Sequence, residues 1–348
     1  MTNIYLVRHA EAEGNLYRIA HGHYNGLITD RGYQQIAALR HRFETVPIDA
    51  VYASDLFRAR TTARAIYEAK GLPLTTRKEL REVDMGSWEG RTWQDLSVND
   101  PQQLYNFNRD LSKWIIPGGE TAAHVRDRML SEIRRIAHEN EGKTVAIVSH
   151  GAALRITLGT LQGLSLEELG QTPHGDNTAV SLLEADGDDL KVVYRDDNTH
   201  LVEAGISTFA RQKWMKDAKM FDNGEAYGPL DEAACAALKS QGIETTPGTP
   251  GVCVSQDGEV MGIVEFSGQE GTIGYIGQYW IAPAYRGRRL GIPPLGQAVM
   301  HYRAQGCDRL RIRCGEGKTR SFFEKFGFVP MEGDILEKYI GYEERESI

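Results

Sequence analysis

Two short apolar stretches constrain this chain more than any other feature, because each reads as a buried β-strand that ends in a histidine. Ile4-Tyr5-Leu6-Val7 runs into Arg8-His9, and Thr144-Val145-Ala146-Ile147-Val148 runs into Ser149-His150-Gly151. Unbroken apolar runs are typical of strands covered on both faces in a parallel sheet, and open α/β sheets bind ligands beyond the carboxyl ends of their strands. Two imidazoles and a guanidinium at the same kind of edge point to an anion site. A third β-type stretch, 50–52, leads to Ser54 and Asp55, either of which can cap the helix that follows. That helix carries its apolar face through Ala63, Ile66 and Tyr67 until Gly71 stops it, and Arg58 falls in its first turn. There the guanidinium joins free backbone N–H groups and the positive end of the helix dipole, a combination suited to an anion. A fourth segment, Leu80 to Gly90, sets Glu82 among apolar residues and has two glycines that permit tight turns.

In this order, the four motifs resemble the histidine phosphatase superfamily, which includes cofactor-dependent phosphoglycerate mutases and many small phosphatases. The resemblance implies a three-layer α/β/α domain, with His9 as nucleophile. It also implies that Arg8, Arg58 and His150 form the phosphate pocket with help from Asn15, and that Glu82 is the proton donor. Ala10 stands where the family usually has glycine, and Pro117 to Thr121 and Asp197 to Leu201 resemble further family features. His21 and His23 flank Gly22 in the loop after the first motif, and Gly22 and His23 are expected to contact substrate.

The residue types suit the chemistry. Phosphoryl transfer passes through a loose transition state with charge on the equatorial oxygens, so positioning and electrostatic stabilisation do most of the catalysis. Attack by a neutral His9 nitrogen would give a phosphohistidine and split one hard displacement into two easier steps. Glu82 would protonate the departing alkoxide and then activate water. That role calls for a carboxyl group that holds a proton near working pH, and Leu80, Val83 and Trp88 are candidates for apolar surroundings. No metal is expected for this mechanism. Glu82 and His150 lie only 68 positions apart, a spacing that favours a phosphatase acting on small phosphomonoesters over a mutase with a longer substrate-enclosing insertion. Trp88, Trp93, Tyr105, Phe107 and Trp114 lie between them, either lining a pocket or packing as a local cap.

With 348 residues, the chain exceeds one typical domain, and a boundary is expected near Ala204, giving domains 1–204 and 205–348. No apolar run reaches membrane-spanning length, and the first strand begins at once, so no signal peptide and no membrane partner are expected. A net charge of −8, spread over both halves, argues against nucleic acid as a partner. Cys235, Cys253, Cys307 and Cys314 lack paired metal-type spacing, and reduced thiols in the cytoplasm are expected.

In the second half, Ser207 to Met220 and Leu230 to Ser240 read as helices. Hairpin-like strands follow over 252–255, 260–266 and 272–281, with a turn at Gln256-Asp257-Gly258. Pro283-Ala284-Tyr285-Arg286-Gly287-Arg288-Arg289-Leu290-Gly291 then precedes a helix to Ala304 and a strand 309–314. A strand, a glycine-rich loop and a helix N-terminus together make an anion site. This half resembles the GNAT acetyltransferase family, an α+β fold with a mixed, mostly antiparallel sheet, also on the strength of Phe322 to Phe328. The resemblance implies that Arg286, Gly287, Arg288, Arg289 and Gly291 cradle acetyl-CoA or a related acyl-CoA. Three departures put acetyl transfer in question: Arg289 replaces a usual glycine, Phe323 the common tyrosine acid and Glu316 the usual asparagine. Glu265 is the available base candidate. An acyl-CoA-responsive binding protein is the alternative outside enzyme chemistry.

Overall fold

Strand alternation builds the core of the first half. In the computed structural model, which describes residues 1–170, 172–206 and 224–343, strand β1 (Thr2–Arg8) is followed by β2 (Ala50–Ser54), β3 (Leu74–Arg77), β4 (Thr144–Ser149), β5 (Val180–Asp186) and β6 (Asp189–Asp197). Val7, Val51, Ala53, Ala146 and Val148 pack on one side of the sheet against Ile36, Leu39, Phe43, Ala59, Ala63 and Ile66, from helices Asp30–Phe43 and Phe57–Lys70. The alternate residues Ile4, Leu6, Val145 and Ile147 are fully buried as well. On their side lies helix Ala122–Glu139, where Thr2 donates to the Asn140 carbonyl and the Tyr52 hydroxyl donates to Glu139. A strand buried on both faces has no polar alternate positions, which is why these runs read as unbroken hydrophobic sequence.

Six strands form one sheet in the order β3-β2-β4-β1-β5-β6, with β1, β2, β3 and β4 parallel, β5 antiparallel to β1, and β6 antiparallel to β5. The register places Arg8 opposite Ser149, so His9 and His150 leave the sheet level with each other. One local expectation is corrected. Neither Ser54 nor Asp55 caps helix Phe57–Lys70, whose N-cap position is Leu56. Asp55 is instead held by Arg81 through two bonds of 2.6 and 2.5 Å, and the Phe57 N–H donates to Asn25 Oδ1 at 2.7 Å. A distant side chain thus does the work of the missing local cap. Gly71 ends the helix with φ of +65°, as its sequence position suggests.

Contacts group Met1–Arg91 and the described residues from Asp100 to Ile206 into one unit, and Thr92–Asn99 with residues 224–343 into a second. The helix expected over Ser207 to Met220 lies outside the described residues. In the second unit, β7 (Ala226–Gly228), β8 (Gly251–Gln256), β9 (Glu259–Glu270), β10 (Ile273–Ile281), β11 (Arg309–Arg313), β12 (Val329–Pro330) and β13 (Ile335–Tyr339) form a sheet ordered β12-β13-β11-β10-β9-β8-β7. Only β10 and β11 run parallel. Asp257 and Gly258, both at positive φ, make the tight β8–β9 turn that a right-twisted hairpin favours. All four cysteines are free and buried. Among the described residues, no helix is long and apolar enough to cross a membrane.

Candidate active site

The two strand-end histidines differ in which nitrogen carries the proton. His9 is 1% exposed, and its Nδ1 lies 2.7 Å from the Ala10 carbonyl, which can only accept. Nδ1 therefore carries the hydrogen, and Nε2 keeps its lone pair. At His150 the order reverses: Arg58 Nε–H donates to Nδ1 at 3.1 Å, so Nε2 carries the hydrogen. That Nε2 is buried and has no protein partner among the described residues. The ring centroids are 5.2 Å apart. Burial, and after it the charges of Arg58 and Arg8, hold His9 well below the ordinary histidine range; burial and Arg58 do the same to His150. The result is a neutral lone pair beside a neutral N–H donor.

Arg58 is fully buried at the second position of its helix. Besides His150, it donates to the carbonyls of Tyr24 (2.8 Å), His21 (3.1 Å) and Gly22 (2.7 Å). Burial lowers its guanidinium to about 10, which leaves it charged at neutral pH. Glu89 serves the N–H groups of the same loop, accepting from His23 at 2.6 Å and Tyr24 at 2.9 Å. Arg8 is half-buried, donates to the Gly175 carbonyl and has an Nε without a protein partner among the described residues. A Cβ on Gly151 would come within 3.1 Å of that Nε, so the glycine after His150 lets the guanidinium lie against the backbone.

The Glu82 carboxyl group is buried and is held by backbone N–H groups. Oε1 accepts from the Val83 and Ala153 N–H groups at 3.0 and 2.8 Å, and Oε2 from Ala152 at 3.0 Å, at the start of helix Gly151–Leu161. Asn15 spends its carbonyl oxygen on the Ala12 N–H and on Asn177, so its amide NH₂ is the group it can offer a ligand. His23 donates from Nε2 to the Glu82 carbonyl at 3.0 Å, which ties it to the loop carrying Glu82. A Cβ on Gly22 would meet the Val83 carbonyl at 2.1 Å, so Gly22 is required by close packing. In the same loop, the His21 ring lies edge-on to His9 with centroids 5.8 Å apart.

Trp88, Trp114 and Phe107 are buried against one another, with centroids 5.1 to 6.1 Å apart, as a packed cap, while Tyr105 is exposed. Sequence reasoning missed two groups of supporting residues. Arg128 donates to the carbonyls of Glu79, Arg81 and Glu82 and pairs with Glu120, which fixes the Glu82 loop. Asn177 and Thr178 hold the backbone of Arg8 and His9. The only sequence signal was a Gly-Asp-Asn-Thr cluster just before a strand.

In the second unit, the expected cradle follows β10. Arg286 Nε donates to the Ile281 carbonyl at 2.8 Å, Arg288 stacks over Tyr285 at 5.6 Å, and Gly287 has φ of +80°. Arg289 has φ of +65°, the conformation that a glycine there adopts without strain. A Cβ on Gly291 would lie 2.5 Å from the Tyr279 hydroxyl. Helix Ile292–Ala304 begins next, with Pro293 and Pro294 in its first turn. Phe323 is fully buried against the Tyr279 ring, Glu316 is exposed beside Arg320, and Glu265 accepts the Thr245 hydroxyl.

A family model described as histidine phosphatase superfamily (branch 1) matches residues 4–198. The chain belongs to the histidine phosphatase superfamily. A second model, the acetyltransferase (GNAT) family, matches residues 214–328, so this member of the superfamily also carries a GNAT domain. The protein named probable phosphoglycerate mutase GpmB from Salmonella choleraesuis is 34% identical over 167 residues, covering 47% of this chain and 76% of the relative. YhfR from Bacillus stearothermophilus is 30% identical with a TM-score of 0.56, covering 58% of this chain and all of that one. The alpha-ribazole phosphatase from Shigella flexneri is 26% identical with a TM-score of 0.50, covering 56% and 96%. The histidine phosphatase domain thus has both mutase-named and phosphatase-named relatives.

Proposed function

We propose that the first domain hydrolyses small phosphomonoesters through a phosphohistidine on His9. The pairing of a lone pair on His9 Nε2 with an N–H on His150 Nε2 carries this reading. In the first step, His9 Nε2 bonds to phosphorus as the ester oxygen leaves. Arg8, Arg58 and the His150 N–H complement the charge on the phosphoryl oxygens, and the Asn15 amide can add a donor. A carboxylate has about four acceptor positions, and three on Glu82 are used by backbone N–H groups, leaving one for the proton that goes to the leaving oxygen. In the second step, water attacks phosphorus and gives a proton to Glu82, phosphate leaves, and His9 regains its lone pair. Because side chains supply the positive charge, hydrolysis is expected to persist in a chelator.

The proton role of Glu82 separates substrates by leaving group. Glu82→Gln removes the proton and sets an NH₂ against backbone donors, so all rates fall somewhat. Alkyl phosphates should lose roughly ten- to a hundredfold more than aryl phosphates, since general acid catalysis helps only a poor leaving group. The check is kcat/KM for one ester of each kind, and equal losses would remove Glu82 from the role. Mutase action is the second reading, favoured by the GpmB relative. Rapid-quench kinetics distinguishes it, because a mutase phosphoenzyme waits to rephosphorylate product whereas a phosphatase one hydrolyses.

For the GNAT domain, we propose acyl-CoA binding at residues 286–291. Exposed Arg288 and Arg289 beside a glycine-containing turn and a helix start suit a pyrophosphate, although Pro293 and Pro294 withdraw two N–H donors. Acetyl transfer to ordinary amines is expected to be slow, since Phe323 has no proton to give and burial holds the Tyr279 phenol well above its usual range. Titration calorimetry of the full chain with acetyl-CoA tests binding, and no heat at millimolar ligand would defeat the proposal.

A further inference from the structure

We infer that His200 is a positioning residue that fixes the aim of the His9 imidazole by holding Thr178, an inference that rests on His9 being the nucleophile. His200 is buried in the short helix Thr199–Glu203, outside every strand that builds the pocket. Arg42 Nη1 approaches its Nδ1 at 3.3 Å and can only donate, so His200 Nε2 carries the hydrogen and donates to Thr178 Oγ1 at 3.0 Å. Arg42 is itself held by Asp197 at 2.7 Å and by the Tyr194 hydroxyl at 3.3 Å. Burial, and then Arg42, lower His200 to about 4, which keeps it neutral and keeps Nδ1 an acceptor.

Thr178 has φ of +60° and is fully buried. A β-branched residue rarely adopts this left-handed conformation, and such strain persists only where surrounding contacts enforce it. The conformation turns the Thr178 N–H onto the Arg8 carbonyl at 3.0 Å, with the His9 carbonyl at 3.4 Å. Asn177 adds a bond of 3.0 Å to the His9 carbonyl. Both peptide groups flanking His9 are thereby pinned by the 177–178 turn. The Ala10 carbonyl that sets the His9 tautomer belongs to the next peptide, whose N–H, that of Glu11, is tied to Gln35 Oε1 at 2.7 Å. Without His200, Thr178 loses the hydroxyl contact that opposes its relaxation, and the His9 ring loses its fixed direction.

The experiment uses the full chain with ring-¹⁵N-labelled histidine and steady-state hydrolysis of an aryl phosphate. His200→Ala should lower kcat roughly ten- to a hundredfold, the scale of a small misplacement of a reacting group, with KM nearly unchanged. Thr178→Val, which keeps the shape but lacks the acceptor, should give the same loss, and Thr178→Ser should restore most of it. The double variant should be no worse than either single one, since both remove the same link. Wild-type His9 should show one Nδ1–H tautomer, and His200→Ala and Thr178→Val a mixture. If His200→Ala does not fold, Thr178→Val carries the test. Unchanged kcat and unchanged His9 signals in folded variants, even with a lower Tm, would overturn the inference. Continued hydrolysis by His9→Ala would instead bring down the nucleophile reading, while the ring signals would still decide whether His200 positions His9.

Discussion

His9→Ala should abolish phosphomonoester hydrolysis, with a loss of roughly 10⁴ or more, as when a nucleophile that acts as part of a unit is removed. Within the pocket, His9 alone combines a place at the strand end with a tautomer that leaves a lone pair on Nε2. His150 presents an N–H instead, and His21 reaches His9 only edge-on. The fold should survive. The variant loses one hydrogen bond, worth about 1 kcal/mol, and relieves the burial of a polar ring beside two guanidinium groups. Activity and stability should therefore separate, with a melting temperature near that of the parent and no phosphoenzyme trapped on alkaline quench, under which a phosphohistidine survives. Undiminished turnover would sink the assignment.

Much of this site could be read from residue order, because its main groups sit where local rules place them. Unbroken apolar runs identify buried parallel strands, and the residue after each run lies at the ligand-binding edge, which is how His9 and His150 were found. Arg58 was legible as a first-turn residue of a helix bounded by Gly71. The supporting contacts were not legible, since each joins segments distant in the chain. Asn25 caps a helix that begins 32 positions later, and Arg128 holds carbonyls 46 to 49 positions earlier. Helix propensity pointed to Ser54 and Asp55 as caps, but the ion pair with Arg81 claims Asp55. The backbone partners of Glu82 were hidden for a similar reason. Its neighbours in sequence are apolar, yet its oxygens reach the start of a helix 70 positions on.

The second half shows the same division. The hairpin turn at Asp257-Gly258 and the Asp231 cap of helix Glu232–Ser240 follow from local chemistry. Strand β9 continues to Glu270, beyond the apolar stretch that marked it, because its outer residues pair with the start of β10. Arg289 was recognisable from sequence as a departure at a glycine position, and its positive φ gives that departure a physical cost.

Arg58→Ala should damage the protein in two ways that can be measured apart. The first is catalytic. Burial lowers the guanidinium only to about 10, so it is still charged at neutral pH, and its removal takes positive charge away from the phosphoryl site and should cost roughly two to three orders of magnitude in kcat/KM. The second is structural. Three carbonyls, of His21, Gly22 and Tyr24, lose a buried donor, as does His150 Nδ1. Each unsatisfied buried group costs about 1–3 kcal/mol, so a stability loss of several kcal/mol is expected in denaturant melts. With Arg58 gone, nothing fixes the His150 tautomer, and its Nε2 can present a lone pair where the phosphoryl oxygen needs an N–H. Arg58→Lys separates these effects, since an ammonium restores charge but cannot reproduce the planar fork that holds the loop and His150 together. It should recover less than about a tenth of the lost rate if the fork matters as much as the charge. Full recovery by lysine would assign Arg58 a purely electrostatic role, and a rate within about threefold of the parent in Arg58→Ala, against the loss expected for a preorganised donor, would make it a structural clamp with no part in catalysis.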